Sequence, residues 1–192
     1  MTALNLIGLG GLKESGKDSA AEVLVDELGW RKDSVSLAID SFTRLIDPFV
    51  DIAPNRPPMR YSQYVDEACK GDFDLSKQHP EVRRVLQAVG SAVRTIDPEA
   101  WSSRAEQRML ETLSAGGSYA LTGVRFQTEI EVIRRNGGLL VWVSRPDHDD
   151  HSDTDVTENS VGPGDFDIVI VNDGTLEELR AQVLDLARSV VV

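Results

Sequence analysis

The feature that most constrains this chain is a glycine-rich turn between an apolar run and an amphipathic segment near its start. The run Leu4–Gly10 has the length and composition of a buried strand. After the turn, apolar residues recur at helical spacing within Ala21–Leu28, and Gly29 can end that helix. The turn itself, Gly11–Lys17, reads G-x-x-x-x-G-K. Phosphate commonly binds where a strand is followed by such a loop and then by a helix, because the backbone N–H groups of the loop and the helix dipole both attract it. In this arrangement Lys17 would reach the outer phosphates.

The loop departs from the strict pattern at the position after its lysine. That position holds Asp18, where Ser or Thr would place a hydroxyl on Mg²⁺, and the hydroxyl comes one residue later, at Ser19. The alternative is an ordinary strand–turn–helix whose lysine lies on the surface. Because a clean strand precedes the loop and a clean helix follows it, the sequence favours a phosphate-binding loop.

Length and charge narrow the classes of protein that remain. At 192 residues the chain fits a single domain, 1–192, with a sizeable core. The formal net charge of −12 argues against binding to nucleic-acid polymers or to anionic membranes, since both need a basic face. One cysteine, Cys69, cannot form an internal disulfide, and no signal peptide or long apolar segment is seen, so we expect a cytoplasmic protein. The oligomeric state stays open, a homodimer included.

Strands alternating with helices predict an α/β fold, with a five-stranded parallel sheet and helices on both faces. A proline-rich run at Asp47–Pro58 is expected to lack regular structure. A helical region is expected at about 41–115, and a polar, glycine-spaced lid at about 144–165. The predicted strands are Leu4–Gly10, Ser34–Ile39, Tyr119–Thr122, Leu139–Val143 and Phe166–Val171.

Ligands in such sheets bind at the carboxyl ends of the strands. Besides the glycine-rich loop, this edge is predicted to collect Asp40, Gly123–Arg125, Ser144–Arg145 and Asn172–Asp173. Two arginines facing a phosphate loop, Arg125 and Arg145, are well placed to balance charge on a phosphoryl group in transfer. The alternative for each arginine is a surface residue at a strand end.

A second group of candidate residues lies on the predicted middle helices. Arg83, Gln87 and Arg94 follow one another at spacings close to whole helical turns. Arginine suits a phosphate, and glutamine can recognise the edge of a base. The alternative to substrate binding is that these three residues form a solvated polar face of the helix. For Trp101 the alternative is a position in the hydrophobic core. His148 and His151 lie among aspartates, but no second cluster completes a metal site, which favours a solvated acidic loop.

With these residues in hand, the chain resembles the bacteriophage deoxynucleoside monophosphate kinase family over nearly its whole length. Each matching motif is weak alone, and their order makes them specific. The matches are Gly11–Ser19, Leu86-Gln87-x-x-Gly90-x-x-x-Arg94 with Trp101, Val124-Arg125-Phe126-x-x-Glu129, Gly137-Gly138, Val143-x-Arg145, Thr157-Glu158-Asn159 and Asn172–Leu176.

The resemblance implies transfer of the γ-phosphoryl group of ATP, with Mg²⁺, to a deoxynucleoside 5′-monophosphate. Catalytic roles fall to Lys17, Arg125 and Arg145. The implied ATP-binding residues are Gly11, Lys13, Ser15, Gly16, Lys17, Asp18, Ser19 and Asn172, with Ser19 also at the metal. Asp18 starts the helix, and we expect it, alone or with Asp40, to hold the water ligands of Mg²⁺. The implied acceptor-binding residues are Asp40, Gln87, Arg94, Trp101 and Glu129.

Family members usually carry an aspartate where this chain has Gly123, so what replaces that acid is open. Two other functions also remain open. One is a kinase of the same architecture that acts on another small phosphorylated acceptor, and the other is a non-catalytic regulator that binds nucleotides. The bases accepted and the choice between ribose and deoxyribose are left open as well.

Overall fold

The structure, a computed structural model, describes residues 4–146 and 160–189. They form two compact units. One unit contains the residues up to Val35 and those from Ser102 onwards, and the other is Ser36–Trp101.

Strands and helices alternate through the described chain. The strands are β1 (Leu6–Gly10), β2 (Arg31–Ser34), β3 (Phe49–Val50), β4 (Met59–Arg60), β5 (Tyr119–Thr122), β6 (Leu139–Ser144) and β7 (Ile168–Val171). The helices are α1 (Lys17–Leu28), α2 (Val35–Ile46), α3 (Tyr61–Gln63), α4 (Phe73–Ser76), α5 (Pro80–Ile96), α6 (Ala100–Ser114), α7 (Gln127–Arg135) and α8 (Leu176–Ser189). A π-helical segment, Tyr64–Ala68, follows α3, and a 3₁₀ turn, Pro163–Asp165, precedes β7.

Five strands of the first unit form one parallel sheet, in the order β2-β5-β1-β6-β7. Alternate residues of β1 face opposite sides of this sheet. Ile7 and Leu9 pack with α1 and α8 on one side. On the other side, a Cβ added to Gly8 would lie 2.8 Å from Ile133 Cγ1, so α7 lies directly against the central strand. The predicted α/β sheet with helices on both faces is confirmed.

The prediction of a strand at Ser34–Ile39 is wrong. The strand ends at Ser34, and the helix α2 runs from Val35 to Ile46. The apolar residues of this stretch alternate as in a strand, but Val35, Ala38 and Ile39 also recur at helical spacing, and the structure adopts the helix. Asp40 therefore lies within a helix and does not follow a strand.

The second unit is mainly helical and has its own core. Buried apolar residues of β3, the segment after β4 and α5 pack together, among them Val50, Tyr61 and Val82. The run Asp47–Pro58 contains β3, which pairs with β4 in an antiparallel ladder, so the expectation that this run has no regular structure is wrong at Phe49–Val50. Within the described ranges, no helix is both long and apolar enough to cross a membrane.

Candidate active site

The glycine-rich loop joins β1 to α1, as the sequence predicts. Two of its glycines are required by the local backbone. Gly11 has φ +146° and a Cβ there would lie 2.4 Å from the carbonyl oxygen of Val143, whereas Gly16 has φ +98° and directly precedes α1. A side chain at either position is strained, and at Gly11 it would also strike the backbone of β6. The loop is thus pressed against the neighbouring strand.

Several N–H groups of this loop are available to an anion. Those of Lys13, Glu14 and Gly16 donate to no acceptor in residues 4–146 or 160–189. The start of α1 adds the positive end of the helix dipole at the same place. This is the arrangement that phosphate groups bind.

The side chains of the loop agree with that chemistry. Lys17 is the first residue of α1, is 7% exposed, and its Nζ donates to the carbonyl of Leu12 at 3.0 Å. The Ser15 side chain is 1% exposed, and its Oγ has no hydrogen-bond partner among the described residues. A buried hydroxyl of this kind is rare in proteins and calls for a ligand or a water. Asp18 and Ser19 are exposed on the first turn of the helix.

Arg125 and Arg145 follow the two strands that flank β1. Arg125 comes after β5 and Arg145 after β6, so the sheet order puts one arginine on each side of the loop that follows β1. Both side chains are half-buried. The topology therefore brings to one edge of the sheet the two arginines that the sequence singled out, while their roles stay predictions.

Glu129 holds the turn that carries Arg125. Its Oε2 accepts from the N–H of Arg125 at 2.7 Å and from the N–H of Phe126 at 3.2 Å, and the residue is 1% exposed. A carboxylate in this position satisfies the free N–H groups at the start of α7. Its predicted contact with substrate stays a prediction, but the visible task of Glu129 is to shape this turn.

Asn172 reaches the glycine-rich loop from the end of β7. It is 7% exposed, its Nδ2 donates to the carbonyl of Ser15 at 2.9 Å, and its N–H donates to the carbonyl of Ser144 at 2.7 Å. Sequence reasoning placed Asn172 at the correct edge of the sheet. It did not find the partner, which lies 157 positions away.

The predicted acceptor residues Asp40, Gln87, Arg94 and Trp101 all belong to the second unit. Asp40 is 9% exposed, and its carboxylate accepts from the Tyr61 hydroxyl at 2.6 Å and from Arg44 Nε at 3.1 Å. Burial and the bond to Asp40 raise the pKa of Tyr61 well above its ordinary value of 10.0.

The other three predicted acceptor-binding residues of this unit differ in exposure. Gln87 is exposed and Arg94 is half-buried. Trp101 is 3% exposed, and its Nε1 donates to the carbonyl of Gly90 at 3.0 Å, which favours the alternative of a core residue.

Sequence reasoning missed a buried charged cluster at the end of β2. Asp33 is 3% exposed and accepts from Arg108 Nε at 2.6 Å and Nη2 at 3.1 Å, and the hydroxyl of Tyr119 also donates to it. Burial, followed by the bond to Asp33, raises the pKa of Tyr119. The one available signal was an aspartate in a short polar strand, which is weak.

The rest of the site predictions concern metal ligands and the lid. Within the ranges that the structure describes, no group of three or more His, Cys, Asp or Glu residues could hold a metal ion. Of the predicted lid at about 144–165, residues 147–159 lie outside the described residues, and so do His148 and His151.

Comparison with known proteins gives a family and a fold. The sequence profile of the family described as deoxynucleotide monophosphate kinase matches residues 58–183. A protein of Acanthamoeba polyphaga mimivirus, provisionally named a deoxynucleotide monophosphate kinase, is 29% identical over 209 aligned residues, which cover 93% of this chain and 94% of the viral protein. The deoxynucleotide monophosphate kinase of Enterobacteria phage T4 is 32% identical over 105 residues, 53% of this chain and 43% of the phage enzyme.

Among solved structures, dephospho-CoA kinase from Campylobacter jejuni superposes with a TM-score of 0.53 at 9% sequence identity and covers 97% of both chains. That likeness shows the fold alone.

Proposed function

Because the chain belongs to the deoxynucleotide monophosphate kinase family, and is thus a phosphotransferase, we propose that it transfers the γ-phosphoryl group of ATP to a deoxynucleoside 5′-monophosphate. The bond between the γ-phosphorus and the β–γ bridging oxygen breaks, and a new bond forms to a phosphate oxygen of the acceptor. The products are ADP and the deoxynucleoside diphosphate.

The glycine-rich loop carries the proposal on the donor side. It combines the start of α1 and a buried lysine with two kinds of group that have no partner in the described part of the chain, namely backbone N–H groups of the loop and the buried Ser15 hydroxyl. Such a set fits the triphosphate of ATP. In this assignment Gly11, Lys13, Ser15 and Gly16 surround the phosphates, and Lys17 contacts the oxygens on which charge develops.

Magnesium fits the same loop through the exposed Asp18 and Ser19 at the start of α1. Mg²⁺ in phosphotransferases is usually held by one or two protein groups together with phosphate oxygens and waters, so a protein cluster of three acids is not required. When bound, the ion neutralises charge on the phosphates. Asp18 would accept hydrogen bonds from the waters on the ion and so stand in for the acid missing at Gly123.

Arg125 and Arg145 would balance charge on the phosphoryl group in transfer. Their positions after the strands on either side of β1 support this role. Phosphoryl transfer needs little covalent work from a protein, because positioning and electrostatic stabilisation account for most of the rate. Glu129 contributes by holding the turn before α7 from which Arg125 projects.

The acceptor nucleotide would bind to the mainly helical unit. Arg94 suits its phosphate, and the exposed Gln87 suits its base through one donor and one acceptor. Asp40 would act here with Arg44 and Tyr61, to which it is hydrogen-bonded.

A coupled assay of ADP release tests the proposal. The purified protein is given ATP, Mg²⁺ and each common deoxynucleoside or ribonucleoside monophosphate in turn. We expect turnover with at least one deoxynucleotide and lower kcat/KM with the matching ribonucleotide. Turnover only with another phosphorylated acceptor would point to the first alternative function. ATP binding without turnover on any acceptor would point to a regulator.

A further inference from the structure

Asn172 contacts the glycine-rich loop at one peptide group, the one that joins Ser15 to Gly16. Its amide donates to the Ser15 carbonyl at 2.9 Å, in a buried bond, and a Cβ added to Gly16 would lie 2.4 Å from Asn172 Nδ2. The asparagine is 7% exposed and is held from behind by its own N–H bond to the carbonyl of Ser144. The side chain is thus fixed between two strand ends and the loop.

The orientation of that peptide group decides where the N–H of Gly16 points. A trans peptide is planar, and its C=O and N–H point in opposite directions. With the Ser15 carbonyl held towards Asn172, the Gly16 N–H must point away from Asn172. This N–H has no acceptor within residues 4–146 and 160–189, so it is available to a phosphate.

Glycine makes the opposite orientation accessible. Gly16 has φ +98°, and a glycine exchanges such conformations at little steric cost. A rotated peptide would turn the N–H inward and the carbonyl oxygen towards an incoming phosphate, which would be repelled. Some group must therefore select between the two orientations, and the buried bond to Asn172 is placed to do so.

We propose that Asn172 is a positioning residue, which sets the Ser15–Gly16 peptide for binding the phosphates of ATP without itself touching the nucleotide. This inference rests on the proposed function, because it concerns the same loop. It differs from the expectation that Asn172 contacts ATP directly. Loss of the amide donor would leave the Ser15 carbonyl with no hydrogen-bond donor among the described residues, and the two peptide orientations would then compete.

The test is the isosteric substitution Asn172→Asp, with direct measurement of the Kd of MgATP by titration calorimetry in the absence of acceptor. The carboxylate keeps the shape of the side chain but cannot donate at neutral pH. An unsatisfied buried acceptor shifts such an equilibrium by about 5- to 150-fold, so we expect the Kd of MgATP to rise by a factor in that range. We expect the KM for ATP to rise with it, whereas the KM for the acceptor stays within about twofold.

Asn136→Asp is the matched control in the same unit. The Asn136 amide donates to the carbonyl of Val132 at 2.8 Å and to Glu106 Oε1 at 2.7 Å, on α7 and α6 rather than at the loop. We expect Asn136→Asp to lower Tm and leave the Kd of MgATP unchanged. All binding is measured well below the lowest Tm, so that a merely structural effect of Asn172→Asp would not alter Kd.

Asn172→Ala is measured beside Asn172→Asp, since it removes the donor without adding a negative charge that would itself repel the phosphates, and we expect its Kd for MgATP to rise as well. An unchanged Kd for MgATP in a folded variant without the donor overturns the inference and leaves the phosphotransferase proposal intact. A wild-type protein that binds no MgATP overturns the proposed function and this inference together.

Discussion

Replacing Lys17 with methionine separates the chemistry of the glycine-rich loop from its folding. Lys17 is 7% exposed, so its stem packs within the protein while its Nζ donates to the carbonyl of Leu12 at 3.0 Å. Methionine keeps most of that stem and removes only the charged donor. The variant should therefore lose the hydrogen bond to Leu12 from its folded state and an electrostatic contact from the transition state.

These two losses differ enough to be told apart. One hydrogen bond contributes about 0.5–1.5 kcal/mol, so we expect the free energy of unfolding to fall by about 1 kcal/mol. Removing one donor from developing charge typically costs about 10²–10³ in kcat, or about 2.7–4 kcal/mol of transition-state stabilisation. We therefore expect a folded protein with kcat reduced about 100- to 1,000-fold.

Urea unfolding measures the first quantity, and steady-state ADP release at saturating ATP and acceptor measures the second. Lys32→Met is the matched control, because Lys32 lies on the edge strand β2 and pairs with Glu22. Losing that ion pair should cost about 0–1 kcal/mol and leave kcat unchanged. A folded Lys17→Met protein with kcat within about threefold of wild type would refute the assignment of the loop.

Three further predictions concern the metal, the buried charges and pH. Asp18→Asn should raise the half-saturating Mg²⁺ concentration in the activity assay roughly 10- to 150-fold, because charge-assisted hydrogen bonds contribute about 1.5–3 kcal/mol, and an unchanged value would exclude the metal role. Arg108→Leu should lower the free energy of unfolding by about 3–5 kcal/mol, because it leaves the Asp33 carboxylate buried without its cation, whereas Arg104→Leu on the exposed side of α6 should change it by less than about 0.5 kcal/mol in the same urea titration. The raised pKa of Tyr61 keeps its hydroxyl neutral in the folded protein at pH values at which the unfolded chain already loses this proton. The contribution of Tyr61 to the free energy of unfolding is therefore fully present below pH 10.0 and is lost as the pH rises further. Above that pH, the Tyr61 hydroxyl makes the free energy of unfolding fall by about 1.4 kcal/mol for each pH unit, and Tyr61→Phe should remove this part of the slope. An identical pH slope in both proteins would contradict this account.

Four of the five strands of the parallel sheet could be predicted from the sequence to within one or two residues. β1, β5, β6 and β7 are read from apolar runs, and in the three strands at the middle of the sheet these runs are buried because both faces are covered. The capping box before α8 is likewise local, because its bonds join Thr175 and Glu178, three positions apart. These signals are local, so the sequence contains them in full.

The edge strand β2 could not be predicted in the same way. Its residues Arg31–Ser34 are all polar, whereas the strand at the other edge of the sheet, β7, is apolar throughout, so β2 has no apolar run to mark it. Asp33 is acceptable in the interior because the N–H of Ser34 donates to it and because Arg108 and Tyr119, 75 and 86 positions later, supply further donors. Because Arg108 and Tyr119 are so remote in sequence, no local pattern marks β2 as a strand. The helix after it has a local pattern of apolar residues that is also typical of a strand.

The fold class and the glycine-rich loop could be inferred from the sequence alone, because periodicity and turn chemistry depend on residues within a few positions of one another. The sequence also indicates which strand ends carry Arg125, Arg145 and Asn172. The tasks of the supporting residues depend instead on contacts between parts of the chain that are remote in sequence. Asn172 can bond to Ser15 because the sheet places β6 beside β1 and β7 beside β6, and no local pattern records which strands will lie side by side.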